Sequence, residues 1–390
     1  MKSKRIVCVV GTRPEAIKMA PVIHALKAEP WAEVCILATA QHREMLDQAL
    51  KLFRIVPDLD LDIMQSGQSL PALTSRLVAR IDDVLAAEMP DLVIAQGDTT
   101  TVFAMALCCF YRKVPFAHVE AGLRSRDKRS PFPEEMNRVF ASYLADLHFS
   151  PTQGARDNLI REGVQADSIF VTGNTVIDAL LEQAADIDPP ASEPGRRMVL
   201  VTIHRRENFG PPLDDICDAV LELSERFPDV DFVLPVHPNP HVSMQVRRKL
   251  ANKPSIELLE PLDYSGFVAM LKRACFVMTD SGGVQEEAPA LGKPVLVLRT
   301  ETERPEAVEI GAARLVGNRR ETIVAEAALL LEDASHHARM STAGSPYGDG
   351  HAAHRIAAHV RDWLFSVAAP DRTDSHGTDS PRRSDQCASR

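Results

Sequence analysis

Several signatures of common enzyme classes are missing from this 390-residue sequence. No GxGxxG run occurs, so a tightly bound dinucleotide is not indicated. There is no HExxH pair, and the histidines are not spaced as in a zinc site, so we expect no metal and no other cofactor. A Walker loop and a GxSxG elbow are also missing, which argues against a P-loop enzyme and an α/β-hydrolase.

Cysteine pairs, excess positive charge and long apolar runs are missing as well. The seven cysteines include no CxxC pair, and Cys8, Cys35, Cys108 and Cys275 lie in apolar runs, which predicts buried thiols. The net charge is −10, and no apolar run approaches the ~20 residues of a membrane span. The N-terminal run "RIVCVV" meets Gly and Pro at once, as a first strand does and a signal peptide does not. We therefore expect a cytoplasmic protein that binds neither nucleic acid nor membrane.

Short apolar runs alternate with segments of helical length along the whole chain. Runs rich in Val, Ile and Leu with crossover helices predict parallel sheets covered on both faces. The predicted strands of the first half are "RIVCVVG", "EVCILAT", "DLVIAQGD", "PFAHVEAG", "DLHFSP" and "SIFVTGN". Those of the second half are "MVLVTIH", "VDFVLPVH", "IELLEPL", "CFVMTD" and "PVLVLR". The pattern predicts an α/β protein of two doubly wound, Rossmann-like domains that face each other across a cleft.

The chain divides at a polar, proline-rich linker over residues 185–197. We predict an N-terminal domain over residues 1–170 that carries the acid–base groups, and a C-terminal domain over 171–350. An amphipathic helix over 351–367 is predicted to return to the first domain. The polar, aromatic-free tail over 370–390 is predicted to be disordered and dispensable for activity.

The stretch "TDSGGVQEEAPALGKP" predicts a strand, a tight turn and a short helix. Ser281, Gly282 and Gly283 would expose backbone N–H groups at a helix start, which suits a pyrophosphate, although a plain helix start fits the same residues. Glu287 follows one turn later and could accept the hydroxyl groups of a ribose. Together these residues indicate a nucleoside diphosphate.

Charged residues at other predicted strand ends could complete such a site. Arg13 and Lys18 in "GTRPEAIK" would bind a diphosphate, or they form a solvated helix face. Asp98, Glu120 and Glu134 could act as general acids and bases, although each alone fits a helix cap or a surface acid. His204, beside two arginines in "IHRREN", is a candidate to contact a leaving phosphate, and the strand-end residues His118 and His237 are weaker ones. In an open parallel sheet these strand ends would meet at one edge.

Taken together, these motifs resemble the non-hydrolysing UDP-N-acetylglucosamine 2-epimerases. The similarity covers about residues 4–365 in family order. The motifs that carry it are "GTRPEAIKMAP", "QHREMLDQ", "QGDTTT", "HVEAGLRS", "PFPEEMNR", "TGNTVIDAL", "HRRENFG", "PVHPNP" and "TDSGGVQEEAPALGKPVLVLRTETERPEA".

The resemblance implies a GT-B-like fold, a homodimer, and reversible interconversion of UDP-GlcNAc and UDP-ManNAc without metal or nicotinamide. Elimination of UDP would give 2-acetamidoglucal, and UDP would then add back. By motif, the catalytic residues would be Asp98, Glu120, Glu134 and His204. The UDP-sugar contacts would be Arg13, Lys18, Phe267, Ser281, Gly282, Gly283, Glu287 and Arg304. Phe267 would lie beside the uracil, although a core aromatic fits the same position.

Some members of this family are activated by a second UDP-GlcNAc, held partly by a "QHR" segment. Here Gln41, His42 and Arg43 are candidate allosteric residues, but Gly67 stands where an arginine is expected, which predicts weak or altered activation. A hydrolysing epimerase, an epimerase of a related UDP-acetamido sugar, a GT-B glycosyltransferase and a non-catalytic UDP-sugar sensor remain the alternatives. The intact "GTRPE" run favours retention of UDP.

Overall fold

The structure is a computed structural model that describes residues 3–39, 43–65, 67–189 and 195–366. Its first sheet has seven parallel strands in the order β3-β2-β1-β4-β5-β6-β7. These strands are β1 (Lys4–Val10), β2 (Ala32–Ala38), β3 (Leu59–Asp60), β4 (Leu92–Gln96), β5 (Phe116–Val119), β6 (Leu147–Ser150) and β7 (Ile169–Val171). Since helices cover both faces, β4 and β5 are buried along their whole lengths.

The second sheet has six parallel strands in the order β10-β9-β8-β11-β12-β13. They are β8 (Arg197–Thr202), β9 (Val230–Pro235), β10 (Ile256–Leu259), β11 (Phe276–Thr279), β12 (Val295–Val297) and β13 (Ala313–Leu315). Both sheets therefore have the same doubly wound arrangement, and the predicted fold class is confirmed.

Helices connect the strands and cover the sheets. In the first half they are α1 (Arg13–Lys27), α2 (Arg43–Leu52), α3 (Leu70–Glu88), α4 (Thr100–Arg112), α5 (Glu134–Leu144), α6 (Gln153–Arg161) and α7 (Thr175–Asp186). In the second half they are α8 (Pro211–Arg226), α9 (Pro240–Leu250), α10 (Tyr264–Arg273), α11 (Gly282–Ala290), α12 (Pro305–Glu309), α13 (Arg320–Glu332), α14 (Ala334–Ser341) and α15 (Ala352–Ser366). Threonine side chains cap the helices that follow β1 and β4: Thr12 accepts from Glu15 N, and Thr99 accepts from Val102 N.

The two halves pack on each other through helices. One apolar cluster includes residues of β1, α1, α7 and α15 and continues into the second sheet. The edge-to-face contact of Trp31 and Phe365, 6.0 Å between ring centroids, shows that α15 lies against the first half. The first sheet ends at Val171 and the second begins at Arg197. The division of the chain after residue 170 stays a prediction, and the tail over 370–390 lies outside the described residues.

Every predicted strand run contains an observed strand. The sequence did not predict β3 and β13, which are edge strands of two and three residues. Such strands are too short to show a periodic pattern. Cys8, Cys35 and Cys108 are buried free thiols as predicted, whereas Cys275 is partly exposed.

Strand order changes direction between β1 and β4 in the first sheet and between β8 and β11 in the second. Ligands of open α/β sheets bind beyond the carboxyl ends of strands at such points. The segments that leave these four strands begin at Gly11, Gly97, Ile203 and Asp280. The topology therefore brings most of the sequence-predicted residues to facing edges of the two sheets.

Candidate active site

Glu120, immediately after β5, is held by two side chains of the first half. Its Oε2 atom accepts hydrogen bonds from Lys18 Nζ at 2.5 Å and from Gln96 Nε2 at 2.6 Å. Burial raises the pKa of Glu120, but the charges of Lys18 and Arg304 outweigh it, and the pKa lies below its usual value. The backbone of Glu120 is left-handed, with φ 64°. Such strain in a non-glycine residue costs of the order of 1 kcal/mol and is concentrated at functional sites.

Lys18 carries the opposite charge in this pair. Burial lowers the pKa of its ammonium group, whereas Glu120 and Glu286 raise it, and the net shift is upward. The exposed fractions of the Lys18 and Glu120 side chains are only 13% and 8%. The two groups therefore stay ionised together inside the protein.

Asp98 and Glu134 are positioned through α5. Arg138 Nη2 donates to Asp98 Oδ2 at 2.5 Å, and Asn137 Nδ2 donates to the Asp98 backbone oxygen at 3.0 Å. Glu134 is the first residue of this helix, whose start has no side-chain cap. The helix start leaves backbone N–H groups without side-chain partners beside the Glu134 carboxylate.

Glu135, beside Glu134, has a structural role instead. Its two carboxylate oxygens accept hydrogen bonds from Ser125 N at 3.0 Å and Arg126 N at 2.9 Å. Arg138 also approaches it, at 3.4 Å. Glu135 thus anchors the loop that leads from β5 to α5.

The opposite wall of the cleft is positive and begins at α11. A Cβ atom added to Gly282 would lie 2.6 Å from Arg304 Nη1 and 3.3 Å from Arg205 Nη2, so this glycine leaves space for two guanidinium groups. Arg205 Nε is buried and has no hydrogen-bond partner among the described residues. Free N–H groups of the first helical turn and two arginines meet here, which is an arrangement that binds anions.

Arg304 is fixed by Glu286. Its Nε atom donates to Glu286 Oε1 at 2.5 Å, and the other Glu286 oxygen accepts from Asn174 Nδ2 at 3.1 Å. Burial lowers the pKa of Arg304, whereas the charges of Glu286 and Glu120 raise it, and the net shift is upward. Arg304 therefore has carboxylates from both halves of the chain nearby.

Glu287 points to a different partner. Its Oε1 atom accepts a hydrogen bond from Tyr264 Oη at 2.9 Å, and burial raises the pKa of Glu287 to about 7. Arg13 is near enough to lower the pKa values of both groups. Phe267, on the same helix as Tyr264, is partly buried against the apolar cluster. Its packing fits a core aromatic, and its contact with a uracil stays a prediction.

His204 follows β8 and faces the cleft with 36% of its side chain exposed. Its Nδ1 atom lies 3.3 Å from Asp280 Oδ1. Burial lowers the pKa of His204 below its usual value, and the charge of Asp280 opposes that shift without reversing it. The ring of His237 stacks beside it at 5.8 Å between centroids.

These groups surround a cavity of about 500 Å³ between the two sheets. It contains all four residues predicted to be catalytic together with Arg304, and its lining residues are Asp98, Glu120, Leu123, Ser130, Pro131, Phe132, Glu134, Arg138, His204, Arg205, Glu207, Glu303 and Arg304. Lys18 and Gly282 adjoin the cavity through Glu120 and Arg304. The other predicted ligand contacts do not line it: Arg13, Phe267, Ser281, Gly283 and Glu287.

The sequence-based prediction of site residues does not include Arg138, Glu286, Arg205 and Asp280. Arg205 was visible beside His204 in "HRREN", and Asp280 is the first residue after β11, where ligand-facing groups are expected. Arg138 and Glu286 gave no comparable signal, because their roles depend on partners far away in the chain.

The structure describes the candidate allosteric residues only in part. Gln41 and His42 lie outside the described residues, and Arg43 is the first residue of α2. Gly67 has φ 69°, and a Cβ atom placed there would meet no described atom within 4 Å. Altered activation therefore stays a prediction.

Comparison with known proteins shows the family of the chain. A family model described as UDP-N-acetylglucosamine 2-epimerase matches residues 24–361. The chain belongs to the UDP-N-acetylglucosamine 2-epimerase family. The protein of that name from Escherichia coli K12 is 50% identical over 375 residues, covering 93% of this chain and 100% of the relative. The one from Bacillus subtilis strain 168 is 48% identical over 368 residues, covering 94% and 96%.

Solved structures agree with this assignment. The UDP-GlcNAc 2-epimerase of Neisseria meningitidis, solved with UDP-GlcNAc bound, is 42% identical with a TM-score of 0.85, over 92% of this chain and 100% of that one. A glycosyltransferase of kitacinnamycin, only 14% identical, has a TM-score of 0.65 over 93% and 100%, so it shares the fold alone. Within the described part of the chain, no helix is long and apolar enough to span a membrane. The same residues contain no cluster of His, Cys, Asp or Glu suited to a metal ion.

Proposed function

We propose that the chain is a non-hydrolysing epimerase that interconverts UDP-GlcNAc and UDP-ManNAc. The observation that carries this proposal is the cavity between the sheets, in which three carboxylates face a cationic helix start. Family membership supports the nucleotide-sugar substrate. The carboxylates serve proton transfer at the sugar, and the cations serve the diphosphate.

The sugar chemistry explains why both groups are needed. The proton on C2 is not acidic because no carbonyl adjoins that carbon, so its removal must be coupled to departure of UDP from C1. A carboxylate takes H2, the C1–O bond breaks with its electron pair on UDP, and 2-acetamidoglucal remains. A proton then returns to the other face of C2 while UDP adds back at C1. Such a route needs a base, an acid and a bound leaving group in one closed cleft.

Glu120 and Asp98 suit the proton transfers because each is paired with a cation of the first half. Lys18 pairs with Glu120, and Arg138 pairs with Asp98. Glu134 has no cation within ion-pair distance among the described residues and is the first residue of α5. Three carboxylates in three environments can divide the acid and base roles.

The diphosphate would lie at the start of α11 between Arg205 and Arg304, with Lys18 and Arg13 on the facing side. Ser281, Gly282 and Gly283 would contribute backbone N–H groups there. Glu287 would accept the ribose hydroxyls in place of the Tyr264 hydrogen bond, and Phe267 would lie beside the uracil. His204 would contact the phosphate that leaves C1, because it lines the same cavity as Arg304.

The test is a proton NMR experiment with purified protein, UDP-GlcNAc and D2O, without added metal or NAD. Deuterium at C2 of both UDP-ManNAc and recovered UDP-GlcNAc is expected. Release of free UDP and ManNAc would show a hydrolysing enzyme instead. Saturable binding without turnover would indicate another UDP-sugar or a sensor, and no binding at all would refute the assignment of the α11 site.

A variant pair locates the chemistry. Glu120→Gln should lose exchange at C2 by at least about 10²-fold while it still binds UDP. Glu162→Gln serves as the control, because Glu162 pairs with Arg124 and does not line the cavity. Equal losses in both variants would mean that the effect of Glu120→Gln is structural.

We also propose that the protein is a homodimer that associates through α4 and α5. These helices expose four aromatic side chains: Phe110 is 62% exposed, Tyr111 66%, Phe140 45% and Tyr143 63%. Two of them are among only four tyrosines in the chain. A concentrated aromatic surface of this kind marks an interface, and a two-fold dimer would cover it with its own copy.

Sedimentation measures this directly, since one chain has a mass of 42.9 kDa. The wild type should sediment at twice that mass, and the double variant Phe110→Glu/Tyr143→Glu should be monomeric. Met244→Glu is the control, because Met244 is 73% exposed on α9 in the other half. A monomeric wild type, or a double variant that stays dimeric, would contradict the proposal.

A further inference from the structure

Asp280 is a fully buried carboxylate behind the cavity. It is the first residue after β11, none of its surface is exposed, and it does not line the cavity. Its oxygens accept hydrogen bonds from His204 N at 3.0 Å, Arg205 N at 2.9 Å and Asn208 Nδ2 at 3.0 Å. The segment that follows β8 therefore wraps around one carboxylate.

Asp280 also contacts the imidazole ring of His204. Asp280 Oδ1 lies 3.3 Å from Nδ1 of the His204 ring. An ionised carboxylate can only accept a hydrogen bond, so this approach favours the imidazole tautomer that carries its proton on Nδ1. His204 lines the cavity, and Nε2 is the ring nitrogen that this contact with Asp280 leaves unengaged.

We propose that Asp280 is a positioning residue that acts through His204. It fixes the imidazole tautomer and ring orientation, so that Nε2 faces the phosphate of the ligand, and it compensates the positive charge when Nε2 takes a proton. This inference rests on the proposed function, in which His204 contacts the leaving diphosphate. A buried carboxylate that orients a histidine in this way is a recurring device in other enzymes.

The charge on the imidazole explains why a carboxylate is needed at this place. Arg205, His237 and Arg299 all disfavour a charged His204 ring, and so does burial. Asp280 is the largest opposing influence. Without it, His204 would be a poor donor to the oxygen that leaves C1.

The first test reads the tautomer without any turnover. In ligand-free protein labelled with [15N]histidine, the His204 signal should show a protonated Nδ1 and an unprotonated Nε2. The His204→Asn variant identifies that signal by its loss. In Asp280→Asn the side-chain amide can donate to Nδ1, so the ring should change to the Nε2-protonated tautomer. A wild-type ring already protonated at Nε2 would overturn the proposal.

The second test asks whether Asp280 acts through the ring. Asp280→Asn should lower kcat by about 10²-fold or more with a smaller change in KM, by analogy with other carboxylate–histidine pairs. The double variant Asp280→Asn/His204→Asn should be within about threefold of His204→Asn alone, because coupled residues are not additive. If the two substitutions lower kcat multiplicatively, Asp280 only stabilises the backbone around it and does not act through His204.

Asn208→Ala is the matched control. Asn208 bonds the same carboxylate and also the Leu298 backbone oxygen, but not His204. Its loss should lower thermal stability and leave the His204 tautomer unchanged, whereas a changed tautomer would refute a specific role for the Asp280–imidazole contact. If the wild type fails to turn over UDP-GlcNAc, the proposed function fails, but the tautomer result still decides the Asp280 contact.

Discussion

Gly282 offers a sharp test of how the anion-binding end of the cleft is built. A Cβ atom there would lie 2.6 Å from Arg304 Nη1 and 2.8 Å from its Cζ, where ordinary contacts begin at 3.4 Å. In Gly282→Ala the guanidinium would therefore have to retreat by about 0.8 Å, the difference between 3.4 and 2.6 Å. A displacement of about 1 Å can cost about 10²-fold in activity, which is about 2.8 kcal/mol at 1.4 kcal/mol per tenfold change.

Movement of the guanidinium group away from Gly282 is restricted because Arg304 makes hydrogen bonds to other parts of the protein. Its Nε atom donates to the buried Glu286 at 2.5 Å, and the backbone oxygen of Arg304 accepts from Tyr347 Oη at 3.1 Å. We therefore expect Gly282→Ala to weaken UDP binding by about 10²-fold in titration calorimetry. Alanine at a helix start is not itself destabilising, so the melting temperature should fall little.

A second variant separates two reasons for this glycine. If Gly282 only leaves room for Arg304, then adding Gly282→Ala to Arg304→Ala should not weaken UDP binding further. If the phosphate must approach the backbone at Gly282, then Gly282→Ala should weaken UDP binding even in the Arg304→Ala background. Gly282→Ala protein that binds UDP as tightly as the wild type would refute both explanations.

Three further outcomes follow from buried charges. Lys18→Met should leave the buried Glu120 without its ion-pair partner, which should cost about 3 kcal/mol in urea denaturation and raise the pKa of Glu120. Glu287→Gln should reduce the preference for UDP over 2′-deoxy-UDP, expected to be about tenfold in the wild type, to about twofold in calorimetry. Burial raises the pKa of Glu15 to about 7 from 4.5, so the folded state binds the extra proton and stability falls as pH rises through that interval. Glu15→Gln should flatten this slope between pH 4.5 and 7 in denaturation curves.

The strands and the residues at their ends were predictable from sequence for a physical reason. Buried parallel strands are continuous apolar runs, and the first polar residues after them lie at the sheet edge. Asp98, Glu120 and His204 all follow strands in this way, and one cavity contains them. The position along the chain thus determined the position in space.

Pairing between side chains was not predictable in the same way. Glu286 and Glu287 are adjacent in the sequence, and the motif singled out only Glu287 as a ligand contact. On α11 they are about 100° apart around the axis, so one reaches Arg304 and the other reaches Tyr264. Which glutamate contacts Arg304 and which contacts Tyr264 depends on how α11 is rotated about its axis relative to its neighbours. That rotation cannot be predicted from a single sequence.

The internal ion pairs also decide how substitutions in this cavity should be interpreted. Three cations beside the cavity form ion pairs within the protein: Lys18 with Glu120, Arg138 with Asp98, and Arg304 with Glu286. Removing one member of a buried pair costs more than the pair contributes, because the other charge remains buried without compensation. A lower rate in a single carboxylate variant therefore combines lost proton transfer with a misplaced cation. Only the double variant that removes both partners separates the two effects, since it restores charge balance while the proton-transfer group is still missing.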